Sequence, residues 1–257
     1  MNEVDGRILN AEPSPDDPRD VPFLGNVARG LPPLELPTRF RRSGLGPVLN
    51  QHKTGTCGGH AGIGLRGWQE KLEGHEITDF DPFRLYDLCL KADGHSDPDR
   101  MTGTTARTVL NVLKKTGTPL KDGGLAGKIA AYESIADPSE EAIKEAILTN
   151  GVLLVRSDWD AAWGQSALLP GRIVPAPRET MGGHIFLLFG WDDEVNGGSF
   201  LMRNSWGPWF PKKGAAPTPT QKQAGPGNAY LAYRFFLAKK PEAWVSTDVL
   251  RGPIPPG

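Results

Sequence analysis

The constraint that weighs most on this chain is a change in the spacing of its apolar residues at Gly151. Upstream, apolar residues recur at helical steps. Ala61, Leu65, Trp68 and Leu72 predict a helix that starts close to Cys57 and fades at Gly74. Asp81 and Pro82 make a cap and first-turn pair for a second helix, with Phe83, Tyr86 and Leu90 on one side. Thr104 or Thr105 opens a third, whose stripe of Ala106, Val109, Leu110 and Leu113 stops at Gly117. Asp137, Pro138 and Glu140 resemble a capping box with proline in the first turn, and Ile143, Ala146 and Ile147 give the fourth helix its buried face. Downstream of Gly151 the segments "VLLVRS", "HIFLLFGW", "SFLMRNS" and "AYLAYRFF" are short, apolar or alternating, and punctuated by Gly, Pro, Asn and Asp; they read as antiparallel strands. The expected class is therefore α+β, with a helical lobe, a β lobe and a cleft between them as the natural site.

Residues 1–35 ("AEPSPDDPRDVPF", "LPPLELP") are rich in Pro and Asp and keep no period, so they are expected to form an extended arm. The remaining 36–257 form one domain, about 48–135 mainly helical and about 136–240 mainly β, with a surface loop at 211–228. Lys and Arg total 29 against 30 Asp and Glu, which removes the electrostatic argument for nucleic acid or an anionic membrane as the main partner. Arg39, Arg41 and Arg42 read as a solvated face. The longest apolar run is strand-length, well short of the roughly 20 residues that span a bilayer. The acidic start "MNEVDGRILN" lacks a secretory signal pattern, and two cysteines allow at most one bridge, so a reducing, cytoplasmic setting is expected, with signal-independent export as the alternative.

Cys57 lies among Gly55, Gly58 and Gly59 in "LNQHKTGTCGGHAGI", a setting that offers no packing and allows close approach to the backbone. It also sits where a helix begins, and unpaired N–H groups there stabilise a thiolate. A histidine must then take up its proton. Of five histidines, His60 is one turn away on the same helix and leaves no cleft for a substrate, so it reads as a packing or capping residue. His184 opens the strand "HIFLLFGW" in the other lobe, and Asn204, near the end of the next strand, can orient an imidazole without a buried carboxylate.

These residues resemble the papain-like, C1-type cysteine peptidases. That pattern has a Gln six residues before the nucleophile, as Gln51 stands before Cys57; a histidine opening a strand that ends in Gly plus an aromatic, as His184 to Trp191 does; and the motif Asn-Ser-Trp-Gly, intact here from Asn204 to Gly207 with Trp209 beyond. His184 and Asn204 follow Cys57 at intervals close to the family's 130 to 150 residues. The resemblance covers about 36–236. It implies Cys57 as nucleophile, His184 as general base and then acid, Asn204 as its orienter and Trp206 as a shield over that contact. Gln51 and the Cys57 N–H would make the oxyanion hole, and Gly55, Gly103 and Gly183 would lie along the substrate. The implied activity is endopeptidase hydrolysis of a polypeptide through a thioester, with no cofactor and no metal.

Departures point to a divergent member of bacterial type. Gly58 replaces the usual aromatic residue after the nucleophile, which is expected to alter the primed-side floor of the cleft, and Thr54 replaces a disulfide cysteine. Cys89, among apolar neighbours, is then a buried free thiol. The arm is much shorter than the family's inhibitory prosegment. It either lies in the cleft as an extended blocker or straps the two lobes, and the expectation is that residues before Leu36 restrain access. Two other functions share these residues: an acyl transferase or peptide-maturing enzyme with the same triad, and a non-catalytic papain-fold binding module.

Overall fold

A computed structural model of the chain describes residues 3–75, 79–96, 99–164, 167–210 and 224–248. Its elements run β1 (Glu3–Val4), β2 (Arg7–Ile8), β3 (Arg39–Arg41), α1 (Cys57–Leu72), α2 (Pro82–Ala92), α3 (Ala106–Lys115), β4 (Thr118–Pro119), β5 (Leu125–Ala126), β6 (Ile129–Ser134), α4 (Glu140–Asn150), β7 (Leu153–Asp160), β8 (Thr180–Asp192), β9 (Ser199–Arg203), β10 (Asn228–Ala232), α5 (Tyr233–Leu237) and β11 (Glu242–Asp248). Three helices precede a mainly β half, so the class is α+β.

The larger sheet is antiparallel in the order β10-β9-β8-β7-β11-β6, with β3 added on β8, and among the described residues it does not close into a barrel. Alternation along its strands sends side chains to two cores. Leu154, Ile185, Leu187 and Phe189 face α1 and α3, packing with Leu65, Trp68, Val109 and Leu113. Leu153, Val155, Phe186, Leu188 and Met202 face the other way, with Ile143, Ile147 and Phe236. The sheet is thus the wall that both cores share.

Local chemistry explains where the elements begin. Asp81 caps α2 by accepting from the N–H groups of Phe83 and Arg84, and Thr105 caps α3 by accepting from Thr108 N–H. The cap of α4 is Ser139, accepting from Ala142 N–H, so Asp137 and Pro138 lie outside that helix and the expected capping box is not formed. Three further expectations are corrected. The segment "AYLAYRFF" stops being a strand at Ala232 and turns into α5; β8 starts at Thr180, which makes His184 an interior strand residue; and the arm holds a small hairpin, β1 against β2. Arg42 is no solvated residue either. It is buried, and its guanidinium donates to the carbonyls of Ile147 (3.1 Å) and Leu148 (2.5 Å) at the end of α4, where backbone acceptors have no partner within the helix. Most of the expected 211–228 loop lies outside the described residues. Among those residues no helix is long and apolar enough to cross a membrane.

Candidate active site

Cys57 is the first residue of α1, and β8 passes beside it, with Ile185 N–H directed at the thiol. Register sets the rest. Ser157 on β7 pairs with His184, and Leu187 on β8 pairs with Arg203 on β9, which brings Asn204 alongside the imidazole just past the end of β9. The His184 Nε2 to Asn204 Oδ1 distance is 2.8 Å. Ser205 N–H also donates to Asn204 Oδ1 at 2.7 Å, which identifies that atom as the oxygen. Nε2 must therefore carry the proton and donate it, and Nδ1 of the neutral ring is left as a base. Among the described residues Nδ1 has no hydrogen-bond partner.

Gln51 is buried beside this pair. Its backbone N–H donates to Ser205 O (2.8 Å), Ser205 Oγ donates to its Oε1 (2.7 Å), and its Nε2 donates one proton to Thr54 O (2.8 Å). The amide is therefore rigidly oriented and still holds a second proton. Trp206 is fully buried and covers His184, with ring centroids 5.3 Å apart. Two residues here escaped the sequence reading. Ser205 ties Gln51 to the strand end that carries Asn204. Trp159 stands edge-on to His184 at 4.8 Å and meets Trp206 at 5.1 Å, closing the aromatic surround of the imidazole. Its signal was the strand period of "VLLVRSDWD", which puts Trp159 two residues beyond Ser157 on the same face.

The cleft is filled by the chain's own N-terminus. Ala11 N–H donates to Gly183 O (3.0 Å) and Glu12 N–H to Thr104 O (3.1 Å), so the arm crosses between β8 and the loop before α3. The Asn10 side chain donates to the carbonyls of Met101 (2.7 Å) and Thr102 (3.0 Å). Gly55, Gly103 and Gly183 are all explained by this passage. A Cβ on Gly55 would lie 2.0 Å from the Asn10 amide nitrogen, one on Gly103 2.0 Å from Asn10 O, and one on Gly183 1.8 Å from Ala11 O. At Gly103 and Gly183 only glycine lets the arm's backbone come this close, and at Gly55 the missing side chain makes room for the Asn10 amide. On the other side of Cys57, Arg7 sits over the Trp206 ring at 5.1 Å, and Leu9 is fully buried.

Burial governs the protonation of both groups. Burial pushes the Cys57 thiol up to about 11, against the opposing pull of the N–H groups of Ile185, Gly58 and Cys57 itself and of the Arg156 guanidinium. Burial also pulls His184 down to about 4; the Asn204 contact raises it, and the charge of Arg7 lowers it further. With the arm seated, both groups are neutral near pH 7.

The remaining sequence candidates sort plainly. His60 is buried, with its Nδ1 2.8 Å from Thr56 O and its ring edge-on to Phe83, a packing arrangement inside α1. Cys89 is a buried free thiol. A Cβ on Gly58 would meet Val109, Thr104 and Ile185 at 3.1 to 3.3 Å, so its lack of a side chain serves the close packing of α1 against α3 and β8.

No family model matches the chain, and no curated protein sequence matches it. Solved structures do. Xylellain, a cysteine protease from Xylella fastidiosa, superposes with a TM-score of 0.74 at 20% identity over 97% of this chain and 99% of that one. Digestive procathepsin L2 from the Tenebrio molitor larval midgut gives 0.69 at 16% identity over 96% and 78%. Procathepsin B S9 from Trypanosoma congolense gives 0.69 at 12% identity over 96% and 88%. The chain has the papain-like two-lobe fold.

Proposed function

We propose that this chain is a cysteine peptidase of the papain-like type whose own N-terminal arm keeps it closed. The observation that carries the reading is the pair His184 and Asn204. Their contact fixes the imidazole tautomer and leaves Nδ1 as the ring's base, while Cys57 stands at the N-terminus of α1.

Once the arm leaves, the penalty on both charges falls and the Arg7 cation is withdrawn, so the proton of Cys57 Sγ passes to His184 Nδ1. The thiolate attacks the peptide carbonyl carbon, and its oxygen gains negative charge. Gln51 Nε2 and Cys57 N–H donate to that oxygen; one such donor is worth about 2.7 to 4 kcal/mol of barrier. His184 returns its proton to the leaving nitrogen as the C–N bond breaks, leaving a thioester on Cys57. His184 then deprotonates the water that splits the thioester, which releases the acid and restores the thiol.

The test is hydrolysis of an extended fluorogenic peptide by the full chain carrying Leu9→Asp, which places a carboxylate in the buried seat of the arm. Turnover should fall at least about a thousandfold on adding Cys57→Ala or His184→Ala. Turnover indifferent to both changes would exclude these residues as the machinery.

A further inference from the structure

Arg156 is out of place by the logic of its strand. On β7 it stands opposite Ile185, on the face that sends Leu154 and Ile185 into the core shared with the helical lobe. Its side chain is only 12% exposed. A guanidinium held there loses solvation, and such a group persists where its N–H donors have partners. Asp158 Oδ1, 2.9 Å from Nη2, supplies one. The other is the arm: Nε and Nη2 both donate to Ala11 O, at 3.4 and 3.3 Å.

Ala11 is thus held at both ends of one residue, its N–H by Gly183 O and its C=O by Arg156. Gly183 makes the clamp possible, because a Cβ there would lie 2.8 Å from Arg156 Nη2 as well as inside Ala11 O. The same wall continues along the arm, where Glu242, paired in register with Arg156, accepts from Ser14 N–H at 2.8 Å. All these contacts are to main-chain atoms. The wall is therefore indifferent to the side chains of what it holds, and when the arm leaves, two guanidinium donors face an empty strand position.

We propose that Arg156 is the positioning residue for the incoming peptide, holding the carbonyl of the residue that replaces Ala11 while Gly183 O holds that residue's N–H. This rests on the peptidase reading. It makes Arg156 serve two competing strands, so its loss should act in opposite directions on each. In the full chain, Arg156→Met should speed hydrogen exchange of the amides in residues 8–14 about tenfold, because the seated arm loses a charge-assisted hydrogen bond. In the full chain loosened by Leu9→Asp, the same change should raise KM for the fluorogenic peptide about tenfold with kcat within about twofold, and Arg156→Lys, which keeps a cation and a donor, should recover most of both effects.

Unchanged exchange in residues 8–14 would overturn the proposal, and so would a fall in kcat with KM unmoved, the signature of a general structural loss. Should the loosened chain cleave no peptide at all, the peptidase reading falls, and the exchange measurement alone decides for or against the Arg156 clamp.

Discussion

The inner and outer stretches of the N-terminal arm both carry aliphatic side chains, and they meet opposite fates. In the inner stretch Val4, Ile8, Leu9 and Ala11 are all buried. In the outer one Val21, Leu24, Val27 and Leu31 remain 47 to 65% exposed. Hydrophobicity alone does not separate them. The inner stretch meets a wall whose backbone groups, bared by Gly103 and Gly183, can bond it, and beyond Cys57 it meets a floor of tryptophan. The outer stretch meets the last residue of β6, where Phe23 N–H donates to Ser134 O and Ser134 N–H to Val21 O, and a single carboxylate on α4, where Glu145 accepts from Asn26 N–H. It is strapped at points and otherwise left to solvent. What binds the arm is the cleft's readiness to bind an extended chain.

The largest expected effect breaks the inner stretch. Burying Leu9 contributes roughly 1.5 to 3 kcal/mol, and a carboxylate in its place adds an unpaired charge. Leu9→Asp should therefore raise the rate of Cys57 alkylation in the full chain at least about a hundredfold; an unchanged rate would mean that the arm does not control access.

A smaller effect comes from pH. His184 is held at about 4 in the closed chain against an ordinary 6.5, so the proton binds more readily when the site is open or unfolded. The stability tied to its burial is complete above about 6.5 and is lost as pH falls toward about 4. Replacing it by Gln should reduce the acid slope of unfolding free energy by roughly 1.4 kcal/mol per pH unit within that window, measured by urea titration. Cys57 works at the other end: its raised value, about 11 against 9, makes its contribution complete below about 9 and lost as pH rises toward about 11.

The smallest expected effect is in the outer stretch. Val27→Asp changes an exposed side chain and should shift stability by less than about 0.5 kcal/mol, with Cys57 alkylation unaltered. An increase there matching that of Leu9→Asp would erase the distinction between the two stretches.

The contrast also shows what the sequence could disclose. The α+β order was legible because helical and strand periods differ and each half keeps one of them. Cys57, His184, Asn204 and Gln51 could be singled out because reactive side chains stand beside motifs of fixed spacing; the structure joins His184, Asn204 and Gln51 through Ser205 and sets Cys57 at the start of α1. Trp159 and Arg156 were not found. Both lie in an ordinary-looking strand, and their roles depend on which neighbour pairs with β7, information that no local pattern contains. The seat of the arm was open between blocker and strap for the same reason: a period-free segment has no face of its own, and its place is set by the glycines that receive it. Ser139 took the cap from Asp137 because the hydroxyl adjoining the helix reaches its free N–H groups first.

Whether Cys57 and His184 act as a pair once the arm is displaced can be read from labelling with a cysteine-directed epoxide and mapping of the modified peptide, in the full chain carrying Leu9→Asp with and without His184→Ala. Modification should fall on Cys57 alone and be lost when His184 is replaced. Equal labelling of Cys57 in both chains would show that the two residues do not act together.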